Sequence, residues 1–127
     1  MPPTAKLFIL LGALAGAAGV GLGAFGAHAL KARLAPDMLA VWQTAVQYHF
    51  WHALGLVAIG ILIALALPGS AILKWAGWLM VAGLVLFSGS LYALAFTGAR
   101  WLGAITPFGG TAWIVAWLLV AWAVLRS

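Results

Sequence analysis

Residues Leu7–Leu30 read LFILLGALAGAAGVGLGAFGAHAL, without one Lys, Arg, Asp or Glu. At ~1.5 Å per residue such a run outspans the ~30 Å hydrocarbon core of a bilayer. The first expectation is therefore a helix that crosses a membrane. Its glycines point the same way. Gly12, Gly16, Gly19, Gly23 and Gly26 fall within about 80° of one another at 100° per residue. Gly12/Gly16 and Gly19/Gly23 are both G-x-x-x-G pairs. In lipid there is little hydrophobic drive between helices, so a glycine groove that admits another backbone to dispersion and Cα–H···O range does the holding. All five are assigned to helix packing, against a helix of the same chain in preference to a second copy.

Three further apolar runs follow, Tyr48–Leu67, Leu73–Phe96 and Phe108–Leu125. Pro36-Asp37, Pro68-Gly69-Ser70 and Thr97–Pro107 separate them. The 127 residues are 67% hydrophobic and 6% charged, with a mean hydropathy of +1.19. A soluble domain carries several times that charge. Short connections make neighbouring helices antiparallel. The expected fold is all-α, an integral membrane antiparallel four-helix bundle in a single domain, 1–127, with helices at about 7–30, 37–67, 73–96 and 107–126. A helix over 37–67 would be about 46 Å long. Its first ten or so residues are expected to protrude, tilt or lie in the interface, which sets the polar residues behind them near the membrane boundary. Ala27-His28-Ala29 has the small-x-small form of a signal cleavage site, but the run before it is longer than a signal core.

Six Lys and Arg against one acid, Asp37, give a net charge of +5. The basic residues stand singly at the ends of apolar runs and form no stripe. That fits anchoring to membrane lipids and excludes a nucleic-acid surface. With no Cys there are no disulfides, thiolate metal sites or thiol nucleophiles. Asp37 beside Pro36 reads as a helix start, with Pro in the first turn and the carboxylate at the positive end of the dipole. Thr106-Pro107 reads as a cap followed by Pro at the first helical position.

Against this apolar background one stretch stands out. Gln43–His52 reads QTAVQYHFWH, holding two Gln, a Thr, a Tyr and two of the three His. Polar groups in or beside lipid are costly without partners, so a site is expected here. The up-down topology brings 23–30, 43–52 and 97–110 to one membrane face. The candidate ligand-binding residues are His28, Gln47, Tyr48, His49, His52, Tyr92, Arg100 and Thr106. Trp42 and Trp51 are read as interface anchors. Ser88 and Ser90 are read as packing hydroxyls that bond to a backbone carbonyl or across to another helix.

Four segments resemble the small membrane family known as domain of unknown function 423. They are Gly23-Ala-Phe-Gly-Ala-His28-Ala-Leu30; Trp42-Gln-Thr-Ala-Val-Gln-Tyr-His49 with His52-Ala-Leu; Gly89-Ser-Leu-Tyr92; and Ile105-Thr-Pro-Phe-Gly-Gly110. The motifs occur in the family's order, show no departure from it, and extend the resemblance over nearly the whole chain. It implies a short bacterial inner-membrane protein, with relatives in animals, that has four membrane helices and an unassigned biochemical function. It supplies no catalytic residue.

His28, His49 and His52 are the only metal candidates, and without Cys or a nearby carboxylate they are weak ones. A pair of His across helices could hold haem in principle. The main expectation is structural His and no cofactor. No Ser-His-acid set can be assembled around Asp37, so catalysis is not expected. An oligomeric channel or small-solute transporter is the chief rival to a structural, interaction or lipid-binding role. A 127-residue monomer is too thin for alternating access, so transport would need copies to assemble, and the first, third and fourth helices are nearly bare of the polar groups a pore needs at mid-depth. Partners are membrane lipids, a second copy or another membrane protein. Lys6, Lys74 and Arg126 on one side nearly balance Lys31, Arg33 and Arg100 on the other, and the amino terminus tips both ends toward the cytoplasm.

Overall fold

The computed structural model describes residues 1–127 as helices joined by short turns. Helix α1 spans Pro3–His28 and is followed by a 3-10 turn, Leu30–Ala32. Helix α2 spans Pro36–Ala64. Helix α3, Ser70–Gly83, passes through a π-helical segment, Leu84–Gly89, into α4, Ser90–Thr97. A 3-10 turn at Arg100–Ala104 leads into α5, Thr106–Leu125. Because α3, the π segment and α4 are continuous, the chain forms four helices long and apolar enough to cross a membrane. It is an all-α membrane four-helix bundle.

Prolines open three of the helices, at Pro3, Pro36 and Pro107. There the missing N–H would have had no helical partner anyway. Asp37 lies in the first turn of α2, where it complements the dipole without a capping hydrogen bond. The expected Thr106 cap is not formed. Ile105 holds the cap position, and the Thr106 hydroxyl is engaged with Ser90. Helix α2 stops short of Leu67. Ala66 takes a left-handed φ of 56° and its N–H bonds Ile63 O at 2.9 Å. Gly69, at φ 90°, then turns the chain into α3.

Helix α2 is the central element. It packs on α1, α3 and α4, while α5 packs on α3 and the π segment. Helices α1 and α5 make no substantial contact with each other, so the bundle is open along one side of α2. The main core joins Phe8, Leu56, Ile59, Leu73, Met80 and Trp113. A smaller cluster of Leu30, Trp42 and Ala95 seals the end nearer the α1–α2 loop.

The α1–α2 contact is where the glycines act. A Cβ on Gly12 would lie 2.9 Å from both Ala53 O and Val57 N. Gly60 on α2 reciprocates, 3.0 Å from Ala5 O and Ile9 N. Gly19, Gly23 and Gly26 accept Phe50, Val46 and Trp42 in turn. Gly16 differs from the expectation, because nothing lies within 4 Å of its would-be side chain. It shares the stripe's angle but falls where α2 presents no knob.

The first part of α2 does not stand clear of the bundle. Trp42, Ala45 and His49 are buried inside the bundle. The length of α2 does not by itself lift its polar residues to the boundary, because the other spans are nearly as long, at 30, 28 and 26 residues. All four helices reach together through a layer of about 40–45 Å, the bilayer with its headgroup zones.

Candidate functional site

That matched length moves the polar stretch inward. His49 Nε2 lies 2.7 Å from Ala15 O, at the middle of α1. His49 Nδ1 lies 2.9 Å from the Tyr92 hydroxyl on α4. One turn on, His52 Nδ1 donates to Tyr48 O at 2.7 Å and Nε2 accepts the Trp117 indole N–H at 3.1 Å. The His52 ring stacks on Trp113, centroids 3.7 Å apart and 6° from parallel. Trp117 stands near the middle of α5. Both imidazoles therefore sit at mid-depth, not at the membrane boundary. The register that puts them there is set by glycine. Any Cβ on Gly19 would come within 3.4 Å of the His49 ring.

Hydrogen-bond chemistry fixes the protons. A carbonyl oxygen only accepts, so Nε2 of His49 is its donor and Nδ1 receives the Tyr92 O–H. An indole N–H only donates, so His52 has the opposite tautomer, with Nδ1 protonated and Nε2 bare. Each imidazole's one lone pair is engaged. Mid-membrane polar groups need internal partners, and every buried side-chain nitrogen and oxygen in this chain has one.

The π segment belongs to the same network. Ser88 Oγ donates across to Ala45 O on α2 at 2.8 Å. Thr106 Oγ1 and Ser90 Oγ lie 2.6 Å apart, and Ser90 donates on to Phe87 O at 2.9 Å. Gly109 makes this possible, since a Cβ there would run into the backbone of Leu86 and Phe87. The π turn is thus clamped on both sides by hydroxyls and by a bare glycine.

The structure brings together Tyr48, His49, His52 and Tyr92, with Thr106 linked through Ser90. Tyr48 is partly exposed and packs its ring on Phe87 and Trp113. His28 is not part of the cluster. It ends α1 nine residues beyond Gly19, ~14 Å along the axis. Arg100 is exposed at the start of the last 3-10 turn. No three His, Cys, Asp or Glu groups gather as a metal site, and the engaged lone pairs of His49 and His52 do not fit metal or haem ligation.

Gln47 lies instead on a second feature, a cavity of about 230 Å³ between α1 and α2. Gly23, Gly26 and Ala27 hollow out one wall, and Trp42, Gln43, Val46 and Gln47 form the other. Trp42 was expected at the interface as an anchor but is only 2% exposed. Its indole N–H donates to Leu22 O at 2.9 Å and its ring meets Tyr92 and Phe96. Trp51 is 51% exposed, but it stands beside His52 at the middle of α2, so it is not at the interface that was expected for it either. Sequence reasoning left Gln43, Ser88, Trp113 and Trp117 off the candidate residues. The four-residue spacing of the two Trp was the available signal, for it gives one helix face two rings that can frame a His.

A family model for proteins of unknown function (DUF423) matches residues 22–110. The chain is 51% identical to the UPF0382 membrane protein YwdK of Bacillus subtilis, over 95% of this chain and 98% of the relative. It is 50% identical to a UPF0382 membrane protein of Staphylococcus haemolyticus, over 91% and 92%. A UPF0382 membrane protein of Staphylococcus epidermidis is 47% identical, over 95% and 97%. No solved structure matches the chain. With four membrane-length helices, a family match over residues 22–110 and relatives aligned over more than nine-tenths of the chain, the chain belongs to the DUF423 family of membrane proteins of unknown function.

Proposed function

We propose that this protein is a non-catalytic binding component of the bacterial inner membrane, with both termini in the cytoplasm, and that it takes an amphiphile of the bilayer into the groove between α1 and α2. The observation that carries this reading is the cavity of about 230 Å³. Its hollow wall is glycine and alanine, its floor is the buried Trp42, and its mouth carries the exposed amides of Gln43 and Gln47. A few convergent polar groups on an apolar pocket are the usual form of a small-molecule site. The mid-depth His–Tyr–Trp network supports the same reading, because its hydrogen bonds are closed within the chain. Neither imidazole, nor the Trp117 indole, is left free to meet a passing solute or a substrate. The sole carboxylate, Asp37, is committed to the start of α2.

Photoactivatable fatty-acyl amphiphiles reconstituted with the protein test this directly. Labelled peptides should map to 20–30 and 42–55 above the level of other lipid-facing surfaces. Gly23→Leu, which fills the hollow and presses on Val46, should abolish that excess while helical content holds and the unfolding midpoint falls only modestly. Labelling spread evenly over all four helices would remove the proposal.

A further inference from the structure

The groove has a polarity order along its length. On α2, Gln43, Gln47, Trp51, Leu54, Ala58 and Ile61 fall within about 80° of one another and all are exposed. They line the side of α2 left open between α1 and α5. The two amides come first, at the cavity, and below them the strip is apolar but for the indole N–H of Trp51. Depth agrees with this order. Gly23 and Gly26, on the opposite wall, stand about 11 and 16 Å from the midpoint of α1. That level is the edge of a ~30 Å hydrocarbon core, where headgroup gives way to acyl chain. No charged side chain lines the cavity, and its polar lining is the two amides, which suit a polar, neutral group. No side-chain hydrogen bond within the chain involves either amide. Amide N–H groups at this edge, where water thins out toward the hydrocarbon, are stabilised by a lipid acceptor held beside them.

We infer that the occupant is a diacyl glycerolipid of the surrounding bilayer, bound through its ester linkage. The Gln43 and Gln47 amides donate to the ester carbonyls. One acyl chain lies along the Trp51–Ile61 strip, and the headgroup projects past the end of α1 toward Lys31 and Arg33. The inference rests on the binding reading above and adds to it the chemical class of ligand and its orientation. Recognition of the ester, not of the headgroup, is its distinguishing content.

The test compares two phospholipids that share a headgroup and a diazirine-bearing chain, one ester-linked and the other ether-linked. Each is placed at trace level in vesicles of the unlabelled diester lipid that contain the protein. The ester lipid should label the strip about tenfold more than the ether lipid, the factor expected from two neutral hydrogen bonds. In the Gln43→Leu, Gln47→Leu variant the two should become equal. Equal labelling in the unaltered protein, with groove labelling still lost in Gly23→Leu, would overturn ester recognition and leave amphiphile binding standing. No excess labelling of the groove by either lipid would remove both. A Leu54→Cys variant settles the rival occupant, a second copy. The chain has no other Cys, so rapid disulfide crosslinking between copies at that position would overturn the inference, whereas slow, dilution-sensitive crosslinking supports it. The ester–ether comparison uses the unaltered protein, so misfolding of a variant does not blunt it.

Discussion

His52 lies between an indole that can only donate and a carbonyl that can only accept. That pairing admits one protonation state, neutral with the proton on Nδ1. His49, one helical turn away, is held the other way round by Ala15 O and the Tyr92 hydroxyl. Two adjacent His of one helix are thus locked in opposite tautomers. Nitrogen-15 NMR of the protein with labelled His reads this directly. The expected spectrum has one Nε2–H imidazole assigned to His49 and one Nδ1–H imidazole assigned to His52, both slow to exchange with water. A shared tautomer, or averaging between tautomers, would show that the hydrogen-bond network is wrong. The residue identities were legible in the sequence, where the expectation was structural His. Their depth was not. Depth depends on the axial register of α2 against α1, which is set by where Gly12 meets Val57 and Gly26 meets Trp42. No count of residues in α2 alone could supply it.

At the scale of the elements, the α1–α2 pair rests on backbone approach. Gly12 and Gly16 are chemically identical and one helical turn apart, yet they face different surroundings. A methyl on Gly12 meets backbone atoms at 2.9 Å, which cannot swing aside as a side chain can. Gly12→Ala is therefore expected to destabilise the protein by about 1–3 kcal/mol through overpacking. A methyl on Gly16 meets open space. Gly16→Ala should be neutral or stabilising by up to about 1 kcal/mol, from the lower conformational entropy of the unfolded helix and better helix propensity. Unfolding in detergent against rising SDS separates the two, and equal losses at both positions would contradict this interface. The stripe itself was readable from the helical period. Which of its members carries the contact was not, because that depends on the spacing of knobs on the facing helix. The π segment was likewise hidden. Ser88-Gly89-Ser90 announced hydroxyls near the end of a helix, but the extra residue in the turn is held open by Gly109 of α5, far away in sequence.

For the molecule as a whole, four spans of matched length make a slab that is sealed on three sides of α2 and open on the fourth. The apolar runs and their Pro and Gly punctuation were enough to give that architecture from sequence. The open side was not visible there, because α1 and α5 look as apolar as any helices that pack together. An even number of spans places both termini on one side and the turns at Arg33 and Ala99 on the other. The cavity of the α1–α2 groove lies toward the turn side. The absence of Cys makes this parity simple to check. Single-Cys variants Arg33→Cys, Ala99→Cys and Ser127→Cys are each exposed to a membrane-impermeant maleimide in intact spheroplasts and again after permeabilisation. Positions 33 and 99 should label in intact spheroplasts, and 127 only after permeabilisation. Opposite labelling of 33 and 99, or like labelling of 33 and 127, would break the four-span topology. The complete reversal, with 127 alone labelled from outside, would keep the bundle and turn it over. In that case the groove would draw its lipid from the cytoplasmic leaflet. The expected pattern puts it in the outer leaflet, so the same labelling decides which pool of glycerolipid the Gln43 and Gln47 amides can reach.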